Sequence, residues 1–261
     1  MRTGSRTQVR LCTNYETMSH AAAEFFVSKY QNSAALSGRF IVALSGGVTP
    51  RRFFSLLASS PYVEAIQWSL THFFWADERC VPKDHIENNF KFAKDAFLSK
   101  VAVPRENIHR INGENGPERA ARDYEQTIRS FFGTPAMPVF DLIILGAGED
   151  GHTASLFTGT AALHERTRLA MPVSSGSVHL GRVTLTLQVL NHAEQILFLV
   201  SGRSKAKVLH EILEDGNPKE FPAGLVQPVH GTVTWLFDRE ASSLLINRTY
   251  MNDRYETIFS P

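Results

Sequence analysis

The run Leu145-Gly146-Ala147-Gly148-Glu149-Asp150-Gly151-His152-Thr153-Ala154-Ser155-Leu156-Phe157 sets a carboxylate and an imidazole two residues apart among three glycines. Histidine titrates near neutral pH and is the commonest general base, worth about 10²- to 10⁴-fold in rate. A neighbouring carboxylate can orient the ring and stabilise its protonated form. Glycines let backbone N–H groups approach a ligand, and the helix expected just after His152 favours an anion at its start. These types and spacings point to acid–base catalysis on a bound anion, with His152 and Asp150 as the catalytic pair. The plainer alternative makes Asp150 a helix cap and His152 an ordinary histidine; the glycine setting weighs against it. No convincing third ligand accompanies the two residues, so no metal site is read here.

Other segments offer anion-binding groups. Ser45-Gly46-Gly47-Val48-Thr49-Pro50 exposes successive N–H groups and two hydroxyls, with Thr49 expected to cap a helix that opens at Pro50 and points its dipole at the ligand. A plain strand-to-helix turn would use the same residues. The spacing is not that of a Walker loop, and Ala43 stands where a nucleophile elbow needs its first glycine. Arg79, which follows Asp77 and Glu78, can grip a phosphate bidentately; alone, it would read as a surface ion pair. Lys205 opposes the dipole of the helix it begins, which is easier to understand if an anion sits there.

Strand-like and helix-like runs alternate around these groups. Strands are expected at Arg39–Leu44, Leu70–Ala76, Phe140–Leu145, Arg182–Leu187, Gln195–Val200 and Val233–Phe237. Helices are expected at Ser19–Leu36, Asn88–Leu98, Pro117–Phe132 and Ser204–Leu213, with a short one from Arg239. Such alternation favours a largely parallel sheet covered on both faces. The polar clusters fall just after strand ends, where open α/β sheets bind ligands, so groups distant in sequence can converge on one site.

Bulk properties exclude other classes. The 261 residues carry 27 Lys and Arg against 26 Asp and Glu. No global field therefore recruits nucleic acid or a membrane surface. Trp68, Trp75 and Trp235 lie in or beside strand candidates without an interleaved basic patch and are expected in the core. His20, His72, His109 and His210 have no setting like that of His152. Cys12 and Cys80 are the only cysteines, which gives no disulfide framework and fits a reducing compartment. Without a signal-like N-terminus or a spanning apolar run, the cytoplasm is the expected location. Residues 1–7 are expected to form a flexible tail on one catalytic domain covering 1–261. Asn247-Arg248-Thr249 matches a glycosylation acceptor by chance.

Six blocks in order carry a family resemblance. They are Leu44–Pro50, Trp75–Pro82 with Asn89 downstream, Leu145–Phe157, Arg182–Leu187, Ser201–Ala206 and Pro222–Pro228. Through these the chain resembles the 6-phosphogluconolactonases, pentose-phosphate-pathway enzymes that open 6-phosphoglucono-δ-lactone with water. The resemblance implies a three-layer α/β sandwich around a mainly parallel Rossmann-like sheet, shared with the glucosamine-6-phosphate deaminases. It implies that Ser45, Gly46, Gly47, Arg79 and Lys205 bind the substrate phosphate and that His152 is the base with Asp150 beside it. Thr49, Asp77, Gly148 and Arg182 complete the expected binding set. The turn Gly146-Ala147-Gly148, or a nearby cation, would stabilise the oxyanion. The expected partner is a small sugar phosphate, with no nucleic acid, membrane, metal or cofactor, in a monomer or small homo-oligomer.

Two alternatives remain at this point. The deaminases resemble this chain at Asp-Gly-His but carry a catalytic glutamate five residues beyond the histidine, where this chain has Phe157. A non-catalytic sugar-phosphate sensor would keep the pocket without turnover. A dinucleotide-binding dehydrogenase is weaker still, because neither glycine turn has G-x-G-x-x-G spacing.

Overall fold

The structure is a computed structural model that describes residues 6–133, 137–174, 180–214 and 218–246. The match at Asn247–Thr249 and the first five residues of the expected tail lie outside these. In chain order the principal elements are β1 (Arg6–Cys12), α1 (Tyr15–Ser37), β2 (Phe40–Leu44), α2 (Arg51–Leu57), β3 (Thr71–Trp75), β4 (Asp77–Arg79), α3 (Asn89–Ala96) and α4 (Pro117–Phe132). They continue with β5 (Leu142–Leu145), α5 (Ala161–His164), β6 (Ala170–Val173), β7 (Arg182–Leu185), α6 (Leu187–Leu190), β8 (Gln195–Val200), α7 (Ala206–Leu213) and β9 (Thr232–Asp238).

Six strands form one wholly parallel sheet in the order β1-β9-β8-β5-β2-β3. Central strands of such a sheet are covered on both faces, so they read as continuous apolar runs rather than alternating ones. Phe40–Leu44 and Leu142–Leu145 are buried at every position for this reason. Helices flank the sheet in a three-layer α/β sandwich, and Trp68, Trp75 and Trp235 are all in its core.

Several expectations need correction. β1 was not anticipated, and it takes Arg6 and Thr7 from the expected tail into a parallel pairing with β9. β7 leaves the main sheet altogether: it pairs antiparallel with β4 and β6 in a separate three-stranded sheet. The cluster Asp77-Glu78-Arg79 is thus itself a strand rather than a loop. α1 begins at Tyr15 instead of Ser19, because Asn14 and Thr17 close a capping box. Thr49 does not cap α2; Pro50 stands at the cap position in a helical conformation with no side-chain cap bond. β5 starts at Leu142, just after Asp141, whose carboxylate accepts the Ile41 N–H. Arg239 begins a turn, not a helix, organised by the Asp238 side chain accepting from the Ala241 N–H.

The most consequential difference follows His152. No helix begins there: Thr153 and Leu156 form an isolated bridge, and Ala154 sits at φ 48°. A left-handed residue breaks a right-handed helix at its first turn. No helix dipole therefore favours an anion at this loop.

Candidate active site

β2 and β5 are neighbours, but the chain leaves them in opposite directions, to β3 on one side and β8 on the other. The crevice beyond such a switch point is where open α/β sheets bind ligands. A cleft of about 540 Å³ opens there, lined by Ser45–Pro50 from the end of β2 and by Gly146, Ala147, Gly148 and His152 from the end of β5. Asp77, Arg79, Arg182 and Lys205 complete it. Every site residue expected from the sequence lines this cleft except Asp150, which braces His152.

The His152–Asp150 pair expected from the sequence is in contact. His152 Nδ1 lies 2.6 Å from Asp150 Oδ1, and the His152 backbone N–H donates to the same oxygen at 3.2 Å. Burial works to raise the Asp150 pKa, but the charge and hydrogen bonds of His152 outweigh it, leaving the carboxyl below its ordinary value. An ionised carboxylate only accepts, so Nδ1 carries a proton, and in the neutral ring Nε2 then holds the lone pair. Gly148 makes room for this pair: a Cβ there would lie 2.1 Å from His152 Nδ1 and 2.4 Å from Asp150 Oδ1. Gly148→Ala is expected to separate the two side chains and lower kcat by about 10-fold or more, the scale of losing an oriented base. Steady-state kinetics beside a thermal melt would check it, and an alanine variant with wild-type kcat would remove the steric argument.

Two arginines define the cleft's charge. The antiparallel register of β4 and β7 places Arg79 directly opposite Arg182, and like charges so placed repel. Burial, then the charge of Arg79, holds the Arg182 guanidinium below its ordinary pKa. Arg182 has the Asp77 carboxylate at 3.9 Å, and Arg79 donates through one terminal nitrogen to the Glu87 carbonyl at 2.8 Å. The Nε groups of both arginines, and Ser45 Oγ, are buried with no hydrogen-bond partner. Each such unmet donor costs about 1–3 kcal/mol. Ser45 Oγ has no bond to His152, which leaves no serine–histidine nucleophile pair.

Two acids brace the groups around the cleft. Asp77 accepts from Ser155 Oγ at 2.7 Å and from Asn89 Nδ2 at 3.3 Å, so its carboxylate is spent on positioning neighbours. Glu78 accepts from the backbone N–H groups of Arg79, Asn89 and Phe90, pinning the start of α3 beneath β4. Burial pushes the Glu78 carboxyl up to about 7, against the pull of these donors.

Sequence reasoning missed Tyr15 as a supporting side chain and named Asn89, with the second block, without a role. Tyr15 donates its hydroxyl to the Thr49 carbonyl at 3.0 Å and accepts the Arg52 N–H at 3.2 Å, fastening the Ser45–Pro50 loop to α1. No spacing rule links positions so far apart. Asn89 packs where a Cβ on Gly46 would fall, 1.8 Å from its Oδ1, so only glycine fits. One expected donor is unavailable: the Gly148 N–H is committed to the His152 carbonyl at 2.8 Å. Among the described residues no group of three or more His, Cys, Asp or Glu could hold a metal ion, and no helix is long and apolar enough to cross a membrane.

The parallel α/β sheet thus carries a histidine–aspartate pair and two facing arginines in the cleft at its switch point. Residues 13–235 match the family model of glucosamine-6-phosphate isomerases/6-phosphogluconolactonase. The chain is 37% identical over 242 residues to a 6-phosphogluconolactonase of Synechocystis, covering 91% of this chain and 98% of that protein. A solved 6-phosphogluconolactonase from Trypanosoma brucei superposes with a TM-score of 0.82 at 25% identity, over 92% of this chain and 99% of that one. A solved monomeric glucosamine-6-phosphate deaminase gives a TM-score of 0.76 at 25% identity, over 91% and 99%. This chain belongs to the glucosamine-6-phosphate isomerase/6-phosphogluconolactonase family.

Proposed function

We propose that this protein hydrolyses 6-phospho-D-glucono-1,5-lactone to 6-phosphogluconate, the lactonase step of the pentose phosphate pathway, with His152 as the base that activates water. The observation carrying the reading is the pair of facing arginines, each with an unpartnered buried Nε, in the same cleft as the His152–Asp150 pair. Arg79, Arg182 and Lys205 supply the charge for a phosphate dianion, and Ser45 and the Gly46-Gly47 backbone add donors. Asp77 acts behind them, holding Arg182 and Asn89 in place.

With the phosphate held, the lactone carbonyl faces His152. Nε2 takes a proton from water, whose oxygen adds to the carbonyl carbon. Asp150 stabilises the imidazolium that forms. The oxyanion is met by the Gly146 or Ala147 N–H or by a cleft cation, since Gly148 is already engaged. Collapse of the tetrahedral adduct breaks the ring C–O bond, and imidazolium returns the proton to the leaving oxygen. No step calls for a cofactor. Two free cysteines fit a cytoplasmic enzyme.

Phe157 argues against deamination, because a phenyl ring cannot ionise. An assay that generates the lactone in situ and follows its loss above the spontaneous rate tests the proposal. Accelerated hydrolysis is expected, with no ammonia released from glucosamine 6-phosphate. Ammonia release without lactone hydrolysis would reverse the assignment, and 6-phosphogluconate binding without any turnover would mark a sensor.

A further inference from the structure

The chain between His152 and Phe157 is built in an unusual way. In an α-helix, a residue five positions on points about 140° away around the axis, at 3.6 residues per turn. Here Ala154 turns at φ 48°, the Leu156 N–H returns to the Thr153 carbonyl at 2.9 Å, and Ser155 is fastened through its hydroxyl to Asp77 and its N–H to Thr184 Oγ1. The doubled-back turn brings Phe157 onto the imidazole it follows. Their ring centroids are 4.5 Å apart, with the planes tilted by 33°. The Arg182 guanidinium lies 5.7 Å from the centroid of the same phenyl ring.

One aromatic ring therefore touches both the base and one of the facing arginines. The hydrogen bond from Nδ1 to Asp150 leaves the imidazole able to swing about that contact. A packed ring face removes this freedom, and misplacement by about 1 Å can cost about 10²-fold in rate. Residues in the left-handed region persist only where surrounding bonds over-determine them, and such positions cluster at active sites. Ala154 is held in this way, and its immediate effect is the return of Phe157.

We propose that Phe157 is a positioning residue: its ring clamps the His152 imidazole in the orientation set by Asp150 and spaces it from the Arg182 guanidinium. The inference rests on the assignment of His152 as the base.

Phe157→Leu keeps an apolar side chain but removes the flat face, and Phe157→Tyr restores it. The leucine variant is expected to lose about 10-fold in kcat on the phosphorylated lactone with KM within about twofold, the tyrosine variant to match wild type. The ring-current shift on the His152 Cε1 proton should be lost in the leucine variant and kept in the tyrosine one. Nuclear Overhauser contacts between the two rings in the wild-type protein check the geometry without any substitution. Wild-type kcat in Phe157→Leu, an equal loss in Phe157→Tyr, or absent ring contacts would overturn the clamp. A rise in KM without loss of kcat would do so too, assigning Phe157 to Arg182 alone. His152→Asn separates the failures: if it keeps full kcat, the base assignment falls and the clamp with it. If it loses kcat while Phe157→Leu does not, the clamp alone falls.

Discussion

His152→Asn is expected to lower kcat by about 10²-fold or more while KM changes little. Asparagine is close to the imidazole in reach and can still donate to Asp150, so the Asp150 Oδ1 contact at 2.6 Å has a substitute partner. What the amide lacks is a basic nitrogen. The proposed phosphate ligands Arg79, Arg182 and Lys205 lie on other elements, so ground-state binding is expected to survive and the loss to fall on the chemical step. The comparison must subtract the lactone's spontaneous hydrolysis, which sets a floor under every variant. Undiminished kcat would return the proton-acceptor role to Asp150 or to another group.

The His152–Asp150 pair and the two main loops were legible because their chemistry is local. The turns at Gly46-Gly47 and Gly146-Ala147-Gly148 follow apolar runs directly, and a parallel sheet forces strand ends to one edge. Arg79 and Arg182 needed the second sheet to become a unit. Nothing in a segment as short as Asp77-Glu78-Arg79 says that it will pair antiparallel with Arg182–Leu185, so the juxtaposition of two cations emerges only from the register. The missing helix after His152 has the opposite lesson. Thr153-Ala154-Ser155-Leu156 has ordinary helical residues, but tertiary bonds to Gly146, Asp77 and Thr184 outweigh local propensity. Tyr15 was invisible for a similar reason, since its hydrogen bonds cross more than thirty residues to the Thr49 carbonyl and the Arg52 N–H.

Arg79→Ala should raise KM for the phosphorylated lactone by about 10- to 100-fold, the range given by about 1.5–3 kcal/mol for a charge-assisted hydrogen bond. KM for unphosphorylated gluconolactone should not move, which ties the effect to the phosphate rather than to general damage. The protein's stability should respond in the other direction. In the unliganded cleft Arg79 faces Arg182 across the strand pair and buries an unpartnered Nε. Removing it relieves a like-charge contact and an unmet donor, at the cost of one hydrogen bond to the Glu87 carbonyl. The melting temperature of the free variant is therefore expected to be no lower than that of wild type. Stabilisation by added 6-phosphogluconate should shrink, because binding stabilises only in proportion to affinity. An opposition between stability and binding of this kind would distinguish an anion site from an ordinary surface ion pair. An unmoved KM, or a large drop in melting temperature with ligand stabilisation intact, would make Arg79 a structural residue and place the phosphate elsewhere.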